Sequence, residues 1–141
     1  ELIRRKVSFE HFSIYGTQYY ADKNGLPTSI EDLAGHRFVS FRRSDSVGAI
    51  DDWIRANVPA KQIVATFSEV DLMNAEIRAG RALGVINLRM ARDYPELIQC
   101  MEPPKALDTD HVILVSPEAW RRPEVKAFVK FFAPRYASRF R

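Results

Sequence analysis

A single cysteine, Cys100, stands in the 141-residue chain, so no disulfide can form within one molecule. That usage fits a reducing compartment, and the cytoplasm is the expected setting. Long apolar runs are missing too. None approaches the roughly 20 residues needed to span a bilayer, which argues against a membrane-spanning helix. The opening residues, Glu1-Leu2-Ile3-Arg4-Arg5-Lys6, lack the apolar stretch and small-residue cleavage site of a secretory signal. Phosphate-cradling glycine loops, serine elbows and paired-carboxylate motifs are absent. The three histidines, His11, His36 and His111, stand apart, and none has metal-ligand spacing to another histidine, a cysteine or a carboxylate. No cofactor or metal is expected, and no enzyme activity.

A strong charge of one sign is also lacking. The net charge is +3, and the densest basic cluster is only Arg4-Arg5-Lys6. Arg42-Arg43 and Arg121-Arg122 lie far from it and from each other. A nucleic-acid reader would show a basic stripe and a recognisable reading element. DNA contact by this chain alone is not expected.

What is present is a globular composition: 46% hydrophobic residues and enough length for a self-sufficient core. Phe38-Val39-Ser40-Phe41 reads as a short buried strand. A helix follows, with Ser46 as its cap and Val47, Ile50 and Ile54 as its apolar stripe, ended by Pro59. Ile63 to Phe67 is the next strand. Ser68-Glu69-Val70-Asp71 looks like a capping box ahead of the stripe Val70, Met73, Ile77, with Gly80 as the stop. Leu83 to Leu88 supplies a third strand, and Leu97 to Cys100 is a strand-like run that buries the thiol. Val112 to Val115 is a further strand. Pro123 then opens a helix at its favoured first position. That helix carries Val125, Phe128, Val129 and Phe132 on one face, and Pro134 is expected to close or kink it.

Strand, helix, strand, helix, strand at this spacing predicts an α/β fold with a parallel βαβαβ core. Ligands in such sheets bind beyond the carboxyl ends of the strands, where helix N-termini direct free N–H groups outward. Three segments of this chain fall there. Phe41, Arg42, Arg43 and Ser44 follow the first strand, Ser68 and Glu69 the second, and Asn87 the third. A guanidinium beside helix N–H groups can hold a carboxylate through paired, charge-assisted bonds. The alternative is that both arginines are solvated and that Ser68 only caps a helix. Glu69 beside an anion would be unfavourable, which points to a ligand that also carries an amine or hydroxyl.

Family-like segments run in order along nearly the whole chain. Tyr20, Asn24-Gly25-Leu26-Pro27 and Asp32-Leu33-Ala34-Gly35-His36 come first, then Trp53, then Ala79-Gly80. Ser116-Pro117-Glu118, Pro123 and Val125-Lys126-Ala127-Phe128 close the series. Together these resemble the effector-binding (substrate-binding) domain of the LysR family of bacterial transcriptional regulators. Departures exist: Thr17-Gln18 replaces a usual Ser-Pro, Arg81 to Gly84 aligns imperfectly, and Asn87 stands where proline is usual. The last two departures bear on the third of the three ligand-facing loops.

The resemblance implies a fold like that of type-II periplasmic binding proteins, two α/β subdomains with a small-molecule cleft between them. Residues from about 12 to 107 would form the second subdomain, and about 112 to 133 a strand and helix returning to the first. The family's helix-turn-helix and most of the first subdomain have no counterpart in this sequence, so DNA would be reached only through a part not present here. The implied function is sensing of a small-molecule effector, an organic acid or aromatic. A transporter's solute-binding protein would share the fold and is the alternative. Homodimers or higher homo-oligomers are expected, because Phe128 and Phe132 would otherwise lie on an exposed apolar patch.

Overall fold

The computed structural model describes residues 1–43 and 48–138. Contacts divide the chain into two units: residues 11–107 form one, and residues 1–10 with 108–141 form the other.

The larger unit is built on five strands. β2 (Phe12–Thr17) lies between β5 (Gly84–Asn87) and β6 (Leu97–Gln99), antiparallel to both. β3 (Phe38–Phe41) and β4 (Ile63–Phe67) pair in parallel, with Phe41 opposite Phe67. A parallel bridge between Phe38 and Leu83 joins β3 to the residue just before β5. Two backbone bonds of 2.9 Å, Val39 N–H to the Leu83 carbonyl and Leu83 N–H to the Arg37 carbonyl, hold that junction. The expected parallel strands therefore occur in the order β4, β3, β5, but they make only part of the layer. β2 and β6 complete it with antiparallel ladders that the helix-and-strand pattern did not anticipate.

Side-chain alternation along these strands divides the core into two faces. Ile14, Phe38 and Val85 join one buried cluster, while their immediate neighbours Tyr15, Val39 and Ile86 join the other. α2 (Ala49–Asn57) covers the first face with Ile54, fully buried, and with Ile50 and Trp53 packed against the cluster. α3 (Val70–Arg78) covers the second with Met73 and Ile77. Burying a side chain such as Ile77 contributes about 1.5–3 kcal/mol. Gly84 is what lets α3 approach: a Cβ there would stand 2.4 Å from Ile77 Cδ1. Gly80 follows the end of α3 with φ +80°, a backbone state that favours glycine, so the predicted stop is observed.

α1 (Gln18–Asn24) is capped by Thr17, whose Oγ1 accepts from Tyr20 N–H at 3.2 Å. The buried Tyr20 hydroxyl meets His36 Nδ1 at 2.8 Å and accepts from Arg37 N–H at 3.2 Å. His36 thus anchors a turn. Its pKa is lowered, chiefly because burial disfavours the imidazolium.

Two boundaries differ from expectation. Helix α2 begins at Ala49, after Gly48, while Ser46 and Val47 lie outside the described residues. The third parallel strand stops at Asn87, because Leu88 already begins α4 (Leu88–Ala91).

In the smaller unit β1 (Ile3–Glu10) pairs antiparallel with β7 (Thr109–Val115), with a register shift between Lys6 and Ser8. α5 (Pro117–Trp120) is capped by Ser116, whose Oγ accepts from Ala119 N–H at 3.1 Å. α6 (Pro123–Ser138) packs on β1 and starts at the predicted proline. Pro134 was expected to close or kink α6; it does not close it, since the helix runs on past the proline to Ser138. Proline removes one N–H and one turn bond, and the rest of the ladder continues past it.

Candidate functional site

The carboxyl ends of β3 and β4 lie side by side, because their parallel register sets Phe41 against Phe67. One more backbone bond, from Arg42 N–H to the Phe67 carbonyl at 2.9 Å, keeps the two exits together. A recess of about 330 Å³ opens there, lined by Phe41, Arg43, Ser68, Glu69, Val70 and Asp71. Four residues anticipated from sequence, Phe41, Arg43, Ser68 and Glu69, thus converge on one surface. Val70 and Asp71 were not anticipated as lining. They follow in the same turn, and an acidic residue in a first helical turn was the available signal.

The remaining anticipated residues are differently placed. Arg42 is turned onto α2, where its Nε donates to Asp51 at 3.0 Å and its Nη2 to Asp52 at 2.8 Å. Asn87 is a helix cap: its Oδ1 accepts from the N–H groups of Arg89 at 2.8 Å and Met90 at 3.3 Å. It is absent from the lining of the recess. Ser44 lies outside the described residues.

Ser68 is not the cap of α3. The helix starts one residue later than the capping-box pattern implied, which puts Glu69 at the cap position, with no side-chain hydrogen bond. Glutamate is one methylene longer than aspartate, and longer still than serine, the side chains that cap well. The first turn of α3 therefore begins beside the recess without a side-chain cap from Glu69.

The recess carries one guanidinium, on Arg43, and two carboxylates, on Glu69 and Asp71. Asp71 sits favourably in the positive first turn of α3. Arg42 adds no charge to the recess because α2 holds it. Burial opposes ionisation of Asp51, but hydrogen bonds from Ser40, Arg42 and Arg55 outweigh it and hold the carboxyl below the ordinary range. Asp51 and Asp52 thus hold Arg42 on α2, while Arg43 lines the recess.

Cys100 is partly buried, and burial pushes its thiol up to about 12, as befits an inert side chain. Among the described residues no cluster of three His, Cys, Asp or Glu could hold a metal ion. No described helix is long and apolar enough to cross a membrane.

The comparisons with known proteins agree with this architecture. The regulatory domain of CrgA, a LysR-type transcriptional regulator from Neisseria meningitidis, matches 96% of this chain and 69% of its own, with a TM-score of 0.65 and 17% identity. AphB, the full-length virulence activator of Vibrio cholerae, matches 97% of this chain and 48% of its own, with a TM-score of 0.69 and 16% identity. Full-length CbnR complexed with its target DNA matches 95% and 47%, with a TM-score of 0.68 and 15% identity. The chain thus spans about half the length of these full-length regulators. No match to a curated protein sequence was found. The model of the LysR substrate binding domain fits residues 2–137, nearly the whole chain. The chain therefore belongs to the LysR substrate binding domain family, with the α/β fold of type-II periplasmic binding proteins, and is an effector-sensing module of the kind these transcriptional regulators carry.

Proposed function

We propose that this chain senses a small polar molecule at the carboxyl ends of β3 and β4, inside the cytoplasm, by binding and without turnover. The observation that carries this reading is the convergence of Phe41, Arg43, Ser68 and Glu69 on one recess beside the uncapped start of α3. Arg43 and the α3 N–H groups suit a carboxylate. Glu69 and Asp71 suit an amine or hydroxyl on the same molecule, and Phe41 offers an apolar wall. The effector is therefore a small organic acid bearing a donor group. An aromatic acid fits less well, because the lining is mostly polar.

The effector would act through its differential affinity for two arrangements of the sensor, shifting their populations and, through a homodimer, the DNA-binding ends. DNA contact is assigned to a helix-turn-helix outside this sequence. A transporter's solute-binding protein is not favoured, because the matching family is that of regulators.

The test is a thermal-shift screen of small hydroxy and amino acids and aromatic acids on the intact regulator, followed by calorimetric titration of variants. Arg43→Ala should weaken binding of the identified acid tenfold or more, the factor expected from losing a charged hydrogen bond of about 1.5–3 kcal/mol. Arg42→Ala should change it much less. Unchanged affinity in Arg43→Ala would remove the proposed clamp.

A further inference from the structure

The smaller unit contains a second, larger recess that effector sensing at β3 and β4 does not use. It is a trough of about 720 Å³ between β1 and α6, with Trp120 of α5 at one end. Its shape follows from the sequence of α6. Ala127 and Ala133 are short where the helix faces β1, so space remains above the buried Val129. Val7 and Pro134 add further apolar wall.

Four basic side chains line this apolar trough: Arg5 and Lys6 from β1, and Lys126 and Lys130 from α6. Their hydrocarbon stems extend the apolar surface while their heads stay wet. Lys130 follows Lys126 by one helical turn, so the two share one edge. The Arg5 guanidinium lies 4.7 Å from the Trp120 ring centroid and the Lys126 ammonium 5.7 Å from it. Two like charges are therefore gathered at one indole. Lys6 also meets Asp110 at 3.1 Å, outside the trough. Among the described residues no carboxylate lines the trough itself. A second copy of this surface would bring the same basic residues and be repelled. Charge and apolarity together select a molecule with a hydrocarbon body and one anionic end.

We propose that this trough binds an amphipathic carboxylate of medium to long chain. Its carboxylate would sit between Arg5 and Lys126 beside Trp120, and its tail would run along Val7, Ala127 and Ala133. The volume lies in the range of small-molecule sites. Charge-assisted pairs at the indole end would fix the ligand's direction.

The experiment is calorimetric titration of the chain with decanoate, with decanol and decylammonium as comparators of the same length. Decanoate is expected to bind saturably, one per chain, at least tenfold tighter than either comparator, and more weakly as salt rises. Lys126→Gln with Lys130→Gln, both exposed, should weaken decanoate tenfold or more. Ala133→Leu should block it by filling the trough, with far-ultraviolet circular dichroism reporting that the chain remains folded. Equal binding of decanoate and decylammonium would overturn the proposal. So would unchanged decanoate affinity in the double lysine variant, or an acidic amphipathic peptide that binds here while decanoate does not.

Discussion

Replacing Asp51 with alanine should cost this protein about 2–4 kcal/mol of stability, and the figure can be built from its partners. The Asp51 carboxylate is 4% exposed and accepts from Ser40 Oγ at 2.7 Å, Arg42 Nε at 3.0 Å and Arg55 Nε at 3.0 Å. Ser40 is fully buried, so losing its acceptor strands a hydroxyl, at about 1–3 kcal/mol. The arginine side chains are 43% and 49% exposed and can turn to water, so their lost bonds add only about 1 kcal/mol or less. Asp51→Asn keeps an acceptor for Ser40 and should lose about half as much. Urea denaturation at neutral pH measures these differences. Pairing Asp51→Ala with Ser40→Ala removes donor and acceptor together, so the double variant should be less destabilised than the sum of the two. The pH dependence has a fixed sign. Because the folded carboxyl sits below its ordinary range, its contribution is complete above a pH of about 4 and fades as pH falls below that. The gap between wild type and Asp51→Ala should therefore narrow in acid. An Asp51→Ala variant within about 0.5 kcal/mol of wild type, or strict additivity with Ser40→Ala, would refute the reasoning.

Gly84→Ala places a Cβ 2.4 Å from Ile77 Cδ1 and 3.3 Å from Val39 Cγ2, both on fully buried residues, so a loss of about 1–3 kcal/mol is expected in denaturant titration. Shortening the neighbour with Ile77→Val should recover part of that loss. Cys100, with its thiol pushed up to about 12, should react slowly with a chromogenic disulfide at pH about 8 and at least tenfold faster in urea; a rapid native reaction would contradict its burial. Phe132, expected on an exposed patch with Phe128, is half-buried and stacks on Phe128 with ring centroids 5.5 Å apart. Phe128 and Phe131 are the exposed pair, at 58% and 59%, and light scattering should show concentration-dependent association that Phe128→Ser with Phe131→Ser reduces. A clean monomer at high concentration would count against it.

Sequence reading recovered the elements whose signals are local. The stripes Ile50–Ile54 and Val70–Met73–Ile77, the stop at Gly80 and the start at Pro123 all correspond to observed features. What escaped depended on partners far away in the chain. β1 alternates poorly, because Arg4, Arg5 and Lys6 are all exposed in succession, and only its pairing with β7 makes it a strand. β2 is buried along almost its whole length, so periodicity could not identify it. Phe41, Arg43, Ser68 and Glu69, which spacing set at strand ends, line one recess. Spacing could not separate Arg42 from Arg43, because the acids that hold Arg42 lie nine and ten residues further on, on another element.

The pairing of β1 with β7 also bears on how the chain folds. Glu10 is the partner of Thr109, so their ladder closes a loop of nearly a hundred residues. Left open, such a loop costs about 4 kcal/mol of chain entropy to close. The intervening segment, however, is a unit with its own core, and its two ends must meet for the ladder to form. Once residues 11–107 have folded, most of that entropy has already been lost, and β1 finds β7 almost as a hairpin would. The order of events is then set by topology: the inserted unit first, the split unit after it. A core substitution such as Ile77→Ala should therefore slow assembly of a sheet it never touches.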